Sequence, residues 1–162
     1  MNFKRFFLQI LPLILGMVLS ACDSDETLPD LDGFPTIALG SATLKMELAL
    51  SQSEQRTGLM RRKGIDEDHG MLFVYQRPTR MSYWMKNVDF PIDIGFFTED
   101  GILREVYPMY AHDTESRRSL RDDLFYALEV KYGWYKRHGI KPGAQLDLEA
   151  THEAIVRKKS NR

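Results

Sequence analysis

The stretch Pro91-Ile92-Asp93-Ile94-Gly95-Phe96-Phe97 is the clearest strand in the sequence. Successive side chains of an extended chain point to opposite faces, so Ile92, Ile94 and Phe96 share one face. Asp93 falls on the other face, next to large apolar neighbours in the sequence. The pattern therefore predicts a buried strand that carries a carboxylate, and such a carboxylate needs a partner to stay ionised.

The sequence around this strand predicts a mainly β fold. Glu99-Asp100-Gly101 is typical of a turn, and residues 102–107 provide the returning strand of an antiparallel hairpin. Short helices are predicted over residues 53–60, capped by Ser53, and over residues 132–138. The predicted strands are residues 43–50, 70–75, 82–85, 91–97, 102–107, 126–130 and 145–149. This set predicts a compact antiparallel sandwich or barrel-like domain over residues 34–156, with one or two short helices.

The overall composition is that of one globular domain. The chain has 162 residues and a formal net charge of -1; 43% of its residues are hydrophobic and 28% are charged. This balance excludes a disordered chain, and the absence of excess positive charge argues against a nucleic-acid partner. The single cysteine excludes an intrachain disulfide and a cysteine zinc cluster. The four histidines lack the spacings of zinc sites, so we predict no metal and no cofactor.

The N-terminal 21 residues have the features of an export signal. Lys4 and Arg5 precede an apolar run over residues 6–18, which is too short to span a membrane but matches a signal-peptide core. Leu19-Ser20-Ala21-Cys22 resembles the lipobox of bacterial lipoproteins. The resemblance implies cleavage after residue 21 and a lipid on Cys22, which would anchor the mature chain to a membrane. An ordinary secretory signal or an uncleaved anchor is the alternative.

A short acidic segment, residues 22–33, links the predicted lipidation site to the domain. Residues 23–33 contain five acidic side chains and no basic one, which predicts a solvated tether. Asp23 resembles the signal that keeps lipoproteins at the inner membrane in enterobacteria-like systems. We therefore expect the domain in the cell envelope, at the periplasmic face of the inner membrane. The chain ends in a basic tail over residues 157–162.

Three stretches, in this order, resemble a known family. They are Arg56-Thr57-Gly58-Leu59-Met60-Arg61-Arg62, then Gly70-Met71-Leu72-Phe73-Val74, then Trp84-Met85-Lys86-Asn87 followed by Pro91-Ile92-Asp93-Ile94. Together with Tyr126-Ala127-Leu128-Glu129, Gly133, Gly139 and Gly143, they resemble the bacterial and archaeal domain of unknown function 192 over about residues 43–150. The resemblance implies a compact, mainly β and often exported domain without an established activity. The sequence departs from the pattern of this family at Val88, where Thr is usual, and over the highly charged stretch from Asp113 to Asp123.

Polar residues near the Trp-Met-Lys-Asn stretch form the candidate site. Lys86 is a candidate partner for Asp93, either as a structural ion pair that fixes strand register or as part of a ligand pocket. A cation and an amide suit an anionic or sugar-like ligand, and Trp84 offers a stacking surface. Arg56 can bind a carboxylate or phosphate, or clamp a loop. The predicted pocket consists of Arg56, Trp84, Lys86, Asn87, Asp93 and Glu129.

Two classes of function fit these residues. The first is a membrane-tethered binding or accessory domain for a small molecule or an envelope protein, because the sequence contains no catalytic motif. The second is a small envelope enzyme, a hydrolase or lyase, with Asp93 or Glu129 as base and Lys86 or Arg56 stabilising charge. The six methionines after residue 21 also suggest copper binding, although methionine beside apolar residues is more often part of a core.

Overall fold

The computed structural model describes residues 33–161, which form eight strands and three helices. The strands are β1 (Thr36–Leu39), β2 (Ala42–Ala49), β3 (His69–Thr79), β4 (Ser82–Tyr83), β5 (Ile92–Thr98), β6 (Leu103–Met109), β7 (Arg117–Arg118) and β8 (Leu124–Lys131). The helices are α1 (Gln52–Thr57), α2 (Trp134–Arg137) and α3 (Leu148–Ser160). The predicted mainly β fold is thus confirmed.

The predicted signal peptide and Cys22 lie outside the described residues. Within residues 33–161, no helix has the length and apolar character needed to cross a membrane.

Six of the strands form one curled sheet, a half-barrel, in the order β1-β2-β3-β8-β5-β6. Neighbouring strands are antiparallel except for β2 and β3, which run parallel because α1 and the loop after it return the chain before β3 begins. The strand β8 lies between β3 and β5, with Glu129 opposite Met71 on one side and Ile94 on the other. A small second sheet pairs β4 with β7.

The large sheet buries apolar side chains on both faces. One face, which includes Leu128, packs against Trp134 of α2 and Ala154 of α3, and we call this the helix-side core. The other face, which includes Phe73 and Ile94, is covered by β4 and the loop after it, and we call this the loop-side core. The predicted alternation over residues 92–97 is present: Ile92, Ile94 and Phe96 lie in the loop-side core, whereas Phe97 lies in the helix-side core.

The C-terminal part of the domain differs from the prediction, because residues 145–149 do not form a strand. Instead, α3 begins at Leu148, since the Asp147 carboxylate accepts a hydrogen bond from Ala150 N at 3.0 Å and caps the helix. Ala154 then packs into the helix-side core. The last turn of α3 contains three basic residues of the predicted tail, where positive charge offsets the helix dipole.

The first helix begins and ends earlier than residues 53–60. Its N-cap is Ser51, whose side chain accepts a hydrogen bond from Glu54 N, while the Glu54 carboxylate accepts one from Ser51 N at 2.8 Å. This reciprocal capping box fixes the start of α1. The helix ends at Thr57, so Gly58 is its C-cap and does not lie inside the helix.

A buried carboxylate holds the charged segment between β6 and β8. Glu105 Oε2 accepts hydrogen bonds from Tyr107 Oη at 2.6 Å and Leu120 N at 2.9 Å, and Oε1 accepts one from Arg121 N at 3.0 Å. Burial and the hydrogen bond to Glu105 raise the pKa of Tyr107 to about 12. The Glu105 carboxylate therefore ties the strongly charged stretch, which departs from the family pattern, to the edge of the sheet.

We expect Glu105→Ala to lower the free energy of unfolding by about 2 kcal/mol, because two backbone N–H groups and one hydroxyl lose their acceptor. Urea denaturation measures this loss. The matched control is Glu99→Ala, which removes an exposed carboxylate from the turn between β5 and β6. Equal losses in the two variants would contradict an anchoring role for Glu105.

Candidate functional site

A cleft of about 430 Å³ opens between α1 and the loop-side core. We call it the α1 cleft and define it by residues of α1, β3, β4 and β8 and of the loops that join them. These residues are Arg56, Gly58, Phe73, Tyr75, Tyr83, Trp84 and Glu129. The volume is in the range of pockets that hold small molecules. Three of the six predicted pocket residues, Arg56, Trp84 and Glu129, line this cleft.

Contacts along α1 place Arg56 at the rim of the cleft. The Gln55 side-chain amide donates a hydrogen bond to Val74 O at 2.9 Å, which fastens the helix to β3. Lys158 of α3 forms an ion pair with Glu54 at 2.9 Å, which holds α1 from its other side. Arg56 lies in the last turn of this fixed helix and is exposed. Within residues 33–161, its guanidinium forms no ion pair, so its donors are free to bind a ligand.

Gly58 brings the chain close to the floor of the cleft. Its φ of +48° lies in the left-handed region that favours glycine, and it ends α1. A Cβ at this position would lie 3.4 Å from Phe73 Cζ and 3.9 Å from Glu129 Oε2. The structure thus places this glycine directly beside two cleft side chains.

Glu129 forms the floor of the α1 cleft. It belongs to β8, between Met71 and Ile94 of the neighbouring strands, and only 6% of its surface is exposed. Its Oε2 is one of two buried side-chain polar atoms among the described residues that have no hydrogen-bond partner. Burial raises the pKa of Glu129 to about 8, although the charge of Arg62 acts in the opposite direction. At neutral pH the side chain is therefore mainly a neutral carboxylic acid, which can both donate and accept a hydrogen bond.

Aromatic side chains form the walls of the cleft. The hydroxyls of Tyr75 and Tyr83 are hydrogen bonded to each other at 2.8 Å, and burial raises the pKa of both. The Tyr83 ring packs edge-on against Phe73, with centroids 5.2 Å apart. Trp84 is 46% exposed at the rim, and Lys86 Nζ lies 5.3 Å from the centroid of its ring. The walls thus offer apolar ring faces, while polar groups lie at the floor and the rim.

Asp93 lies on the opposite face of the sheet from Glu129. The two strands are paired so that Asp93 is opposite Val130 and Ile94 is opposite Glu129. The Asp93 carboxylate accepts a hydrogen bond from Gly133 N at 2.9 Å, and burial raises its pKa. It borders a separate cavity of about 500 Å³ on the helix side. The backbone of the turn before α2 is therefore the partner of Asp93, whereas the sequence suggests Lys86 for this role.

The remaining predicted pocket residues are outside the cleft. Lys86 is exposed and pairs with the Trp84 ring, so among the described residues it forms no ion pair with Asp93. Asn87 adopts a φ of +59° in an exposed turn, and its carbonyl accepts a hydrogen bond from Arg61 N at 2.9 Å. Asparagine tolerates this backbone conformation better than most residues do. Asn87 therefore shapes the loop that carries Trp84.

We expect Asp93→Ala to lower the free energy of unfolding by about 1–3 kcal/mol, because Gly133 N loses its acceptor. Chemical denaturation gives the value. Asp66→Ala removes an exposed carboxylate and serves as the control. Because Asp93 and Glu129 lie on opposite faces, ligand binding in the α1 cleft should be unchanged in Asp93→Ala. A stability equal to wild type would show that Asp93 does not hold the turn before α2.

Sequence reasoning missed Tyr75 and Tyr83 as cleft residues. Both lie at positions that the sequence assigns to strands, but periodicity alone does not show which strands meet. Tyr83 reaches the cleft because β4 pairs with β7, a two-residue strand in the charged segment. The signal that could have identified the pair was the position of one tyrosine in each of two short apolar strands.

The methionines pack with apolar side chains. Met71, Met81, Met85 and Met109 belong to the loop-side core, and Met46 belongs to the helix-side core. In the part of the chain that the structure describes, no group of three or more His, Cys, Asp and Glu side chains is arranged to hold a metal ion. The described methionines thus contribute to the core, as sulfur beside aromatic rings commonly does.

Comparisons with known proteins place this fold in a family. The model of the DUF192 family, described as an uncharacterised ACR, matches residues 36–148. A protein of unknown function from Novosphingobium aromaticivorans has a similar structure, with a TM-score of 0.66 and 28% identity over 70% of this chain and 83% of its own. A putative transcription regulator from Sinorhizobium meliloti also has a TM-score of 0.66, with 34% identity over 70% of this chain and 92% of its own. The search of curated proteins gave no match. Because the family model covers most of the domain, the chain belongs to the uncharacterised DUF192 family.

Proposed function

We propose that the protein is a lipid-anchored binding domain of the bacterial cell envelope, and that it binds a small polar molecule in the α1 cleft. The unpartnered Oε2 atom of Glu129 carries the binding part of this proposal. A buried polar atom without a hydrogen bond costs about 1–3 kcal/mol. An apolar residue would avoid that cost at this position, whereas a carboxylic acid gives a ligand a donor and an acceptor at the floor of the cleft.

The surroundings of Glu129 support a ligand and not a structural partner. The nearby hydroxyls of Tyr75 and Tyr83 bond to each other at 2.8 Å. At the rim, Arg56 and Trp84 are exposed, although both are residue types that bind ligands strongly when they become buried. The buried floor, the aromatic walls and the rim cation match the mostly apolar pocket with few polar groups that is typical of small-molecule sites.

A binding panel on the full chain in detergent micelles tests this proposal. The panel contains neutral monosaccharides, sugar acids, hydroxy acids, amino acids and dicarboxylates, and isothermal titration calorimetry measures binding. We expect at least one compound to bind and Glu129→Leu to weaken it about tenfold or more, since leucine can neither donate nor accept the buried hydrogen bond. The matched control is Glu153→Leu, on the exposed face of α3. Binding that is equal in both variants, or no binding across the panel, would overturn the ligand proposal.

The sequence supports the lipid anchor. Cys22 follows Leu19, Ser20 and Ala21 after a short apolar run, and the acidic segment that follows has the composition of a tether. The lipid on Cys22 and the short tether would hold the binding domain within about 20 Å of the membrane. Asp23 would keep the protein at the inner membrane, so that the α1 cleft faces the periplasm.

We expect Cys22→Ser to abolish lipid attachment and to prevent maturation of the protein by the lipoprotein route, because serine lacks the thiol that receives the lipid. Mass spectrometry of the wild-type protein from the membrane fraction should show a lipid-modified N-terminus at Cys22. As a control, Asp23→Ser leaves the cysteine in place and should retain the lipid while moving the protein to the outer membrane. An unmodified mature N-terminus in the wild type would contradict the anchor.

Only some of the candidate catalytic residues of the enzyme hypothesis lie in the α1 cleft. Glu129 and Arg56 line the cleft, whereas Asp93 lies on the other face of the sheet and Lys86 lies over the Trp84 ring. A hydrolase or lyase of this design would have to work with Glu129 as its one carboxylic acid. Because burial keeps Glu129 mainly protonated at neutral pH, it is poorly suited to act as a base, and binding is the function that this geometry favours.

A further inference from the structure

The chemistry of the α1 cleft narrows the class of molecule that it can bind, on the assumption that the proposed binding function is correct. Among the residues that define the cleft, Arg56 carries the one positive charge and Glu129 is the one acid. A single guanidinium pairs best with a single negative charge, and its planar donors match a carboxylate in bidentate geometry. A phosphate monoester would bring a second negative charge, and among the described residues no second cation lines the cleft to balance it.

The floor of the cleft requires a different group from the rim. Glu129 Oε2 is buried and unpartnered, and Gly58 leaves space next to it that a Cβ would narrow. A neutral carboxylic acid pairs best with a group that both donates and accepts, and a hydroxyl does both. A purely apolar group would leave the Glu129 carboxyl without a hydrogen bond, and a carboxylate would create repulsion once Glu129 lost its proton.

The aromatic walls of the α1 cleft restrict the shape of the part of the ligand that lies between its two polar ends. Phe73, Tyr83 and Trp84 present ring surfaces around the space between the floor and the rim. Such surfaces pack against the C–H faces of a ring or a carbon chain. The volume of about 430 Å³ accommodates a molecule of monosaccharide size with some solvent.

We propose that the α1 cleft binds a small monocarboxylate that also carries hydroxyl groups, with its carboxylate on Arg56, a hydroxyl on Glu129 and its carbon skeleton against Trp84. The two sources of this chemistry are cyclic sugar acids and open-chain polyhydroxy acids. Both supply one negative charge and several hydroxyls, and they differ in whether the C–H face of a sugar ring is available to pack on the indole.

Calorimetric titrations of the full chain in detergent micelles test this ligand class with four probes: D-glucuronate, D-gluconate, D-glucose and acetate. We expect one or both hydroxylated acids to bind at least about tenfold more tightly than glucose, which lacks the carboxylate, and acetate, which lacks the hydroxyls. Tighter binding of glucuronate than of gluconate, lost in Trp84→Ala, would identify a cyclic sugar acid. The reverse order would identify an open-chain acid.

Two variants assign the contacts. Arg56→Gln should remove the preference for glucuronate over glucose, because it removes the charge that binds the carboxylate. Glu129→Leu should weaken both probes, because it removes the donor and the acceptor at the floor of the cleft. Arg157→Gln, which removes an exposed arginine beside a different cavity, is the matched control and should leave all affinities unchanged.

Two outcomes separate this inference from the binding function on which it rests. Binding of another class of compound in the cleft, with no preference for the hydroxylated acids, would overturn the ligand class and leave the binding function standing. An unchanged preference in Arg56→Gln would likewise overturn the assignment of the carboxylate. No binding of any compound in the broader panel would overturn the binding function itself.

Discussion

Replacing Gly95 with alanine should lower the free energy of unfolding by about 3 kcal/mol, because the added methyl group has no space. A Cβ on Gly95 would contact the Tyr135 hydroxyl directly and would lie 2.7 Å from Tyr135 Cζ and 2.9 Å from Leu103 Cδ1. Gly95 lies in the middle of β5, with β6 and β8 on its two sides, so the backbone cannot move away without disturbing both pairings. Urea denaturation of the variant and the wild type measures the loss.

A control variant and a second substitution test whether the clash with Tyr135 causes this loss of stability. Gly64→Ala adds the same methyl group where no atom lies within 4 Å, so it should change stability little. Tyr135 is buried, and its hydroxyl donates a hydrogen bond to Leu128 O at 3.1 Å. Tyr135→Leu alone should therefore be costly, yet the Gly95→Ala/Tyr135→Leu double variant should lose less than the sum of the two single losses. Additive losses, or equal effects at Gly95 and Gly64, would show that Tyr135 does not exclude a side chain at Gly95.

Periodicity alone predicts β5 because its pattern is local. Large apolar residues alternate over residues 92–97, and the period of two follows from the geometry of a single strand. Gly95 fits this pattern as well, although the reason for a glycine there, the Tyr135 ring from α2, lies 40 residues away in the sequence. The sequence thus predicts the faces of the strand but not what covers them.

The candidate site was predicted only in part because it depends on strand pairing. Glu129 and Asp93 are both buried carboxyls, and the sequence groups them in one pocket. In the structure, Ile94 is opposite Glu129, so the pleat directs Asp93 to the other face. A shift of one residue in this pairing would bring the two carboxyls to the same face, and no local pattern fixes the register between strands so distant in sequence.

The segment over residues 145–149, which the sequence predicts as a strand, contains two competing local signals. Residues 145–149 alternate apolar and polar side chains, which is typical of a strand. Asp147 lies within this stretch, and its carboxylate caps the helix that begins at Leu148. The cap and the 13 residues that can follow it as a helix outweigh five residues of alternation, because the helix also buries Ala154 against the sheet.

The free energy of unfolding of the wild type should fall by on the order of 4 kcal/mol between about pH 5 and about pH 8, and Glu129→Gln should remove most of this fall. The cause is the buried carboxyl, because burial raises its pKa from 4.5 in the unfolded chain to about 8 in the folded protein. Between these two values the folded protein holds a proton on Glu129 that the unfolded chain has released. Stability therefore falls as the pH rises through this window, and Glu129 adds no further slope below about pH 4.5 or above about pH 8.

Groups around Glu129 do not cancel this effect. Arg62 favours the ionised carboxylate, but it is already paired with Glu47 at 2.8 Å and is partly exposed. Burial raises the pKa of Tyr75 and Tyr83, so both hydroxyls remain neutral across the window. Burial also raises the pKa of Asp93, but this residue lies on the opposite face and contributes equally to the wild type and the variant. The difference between the two proteins therefore isolates Glu129.

Urea denaturation of both proteins at about pH 5, 6, 7 and 8 gives this difference directly. Near pH 5 the neutral acid and the amide of the variant are similar in size and polarity, so we expect similar stability. Near pH 8 we expect the variant to be the more stable protein, since the wild type must then ionise a buried group or hold its proton at a cost. Higher stability of Glu129→Gln near pH 8, together with weaker ligand binding by Glu129→Leu, would mean that the carboxyl is kept at the floor of the cleft for binding, at the expense of folding. Parallel stability curves would mean that Glu129 is ionised or solvated in the folded protein, and the neutral donor assigned to the α1 cleft would then be wrong.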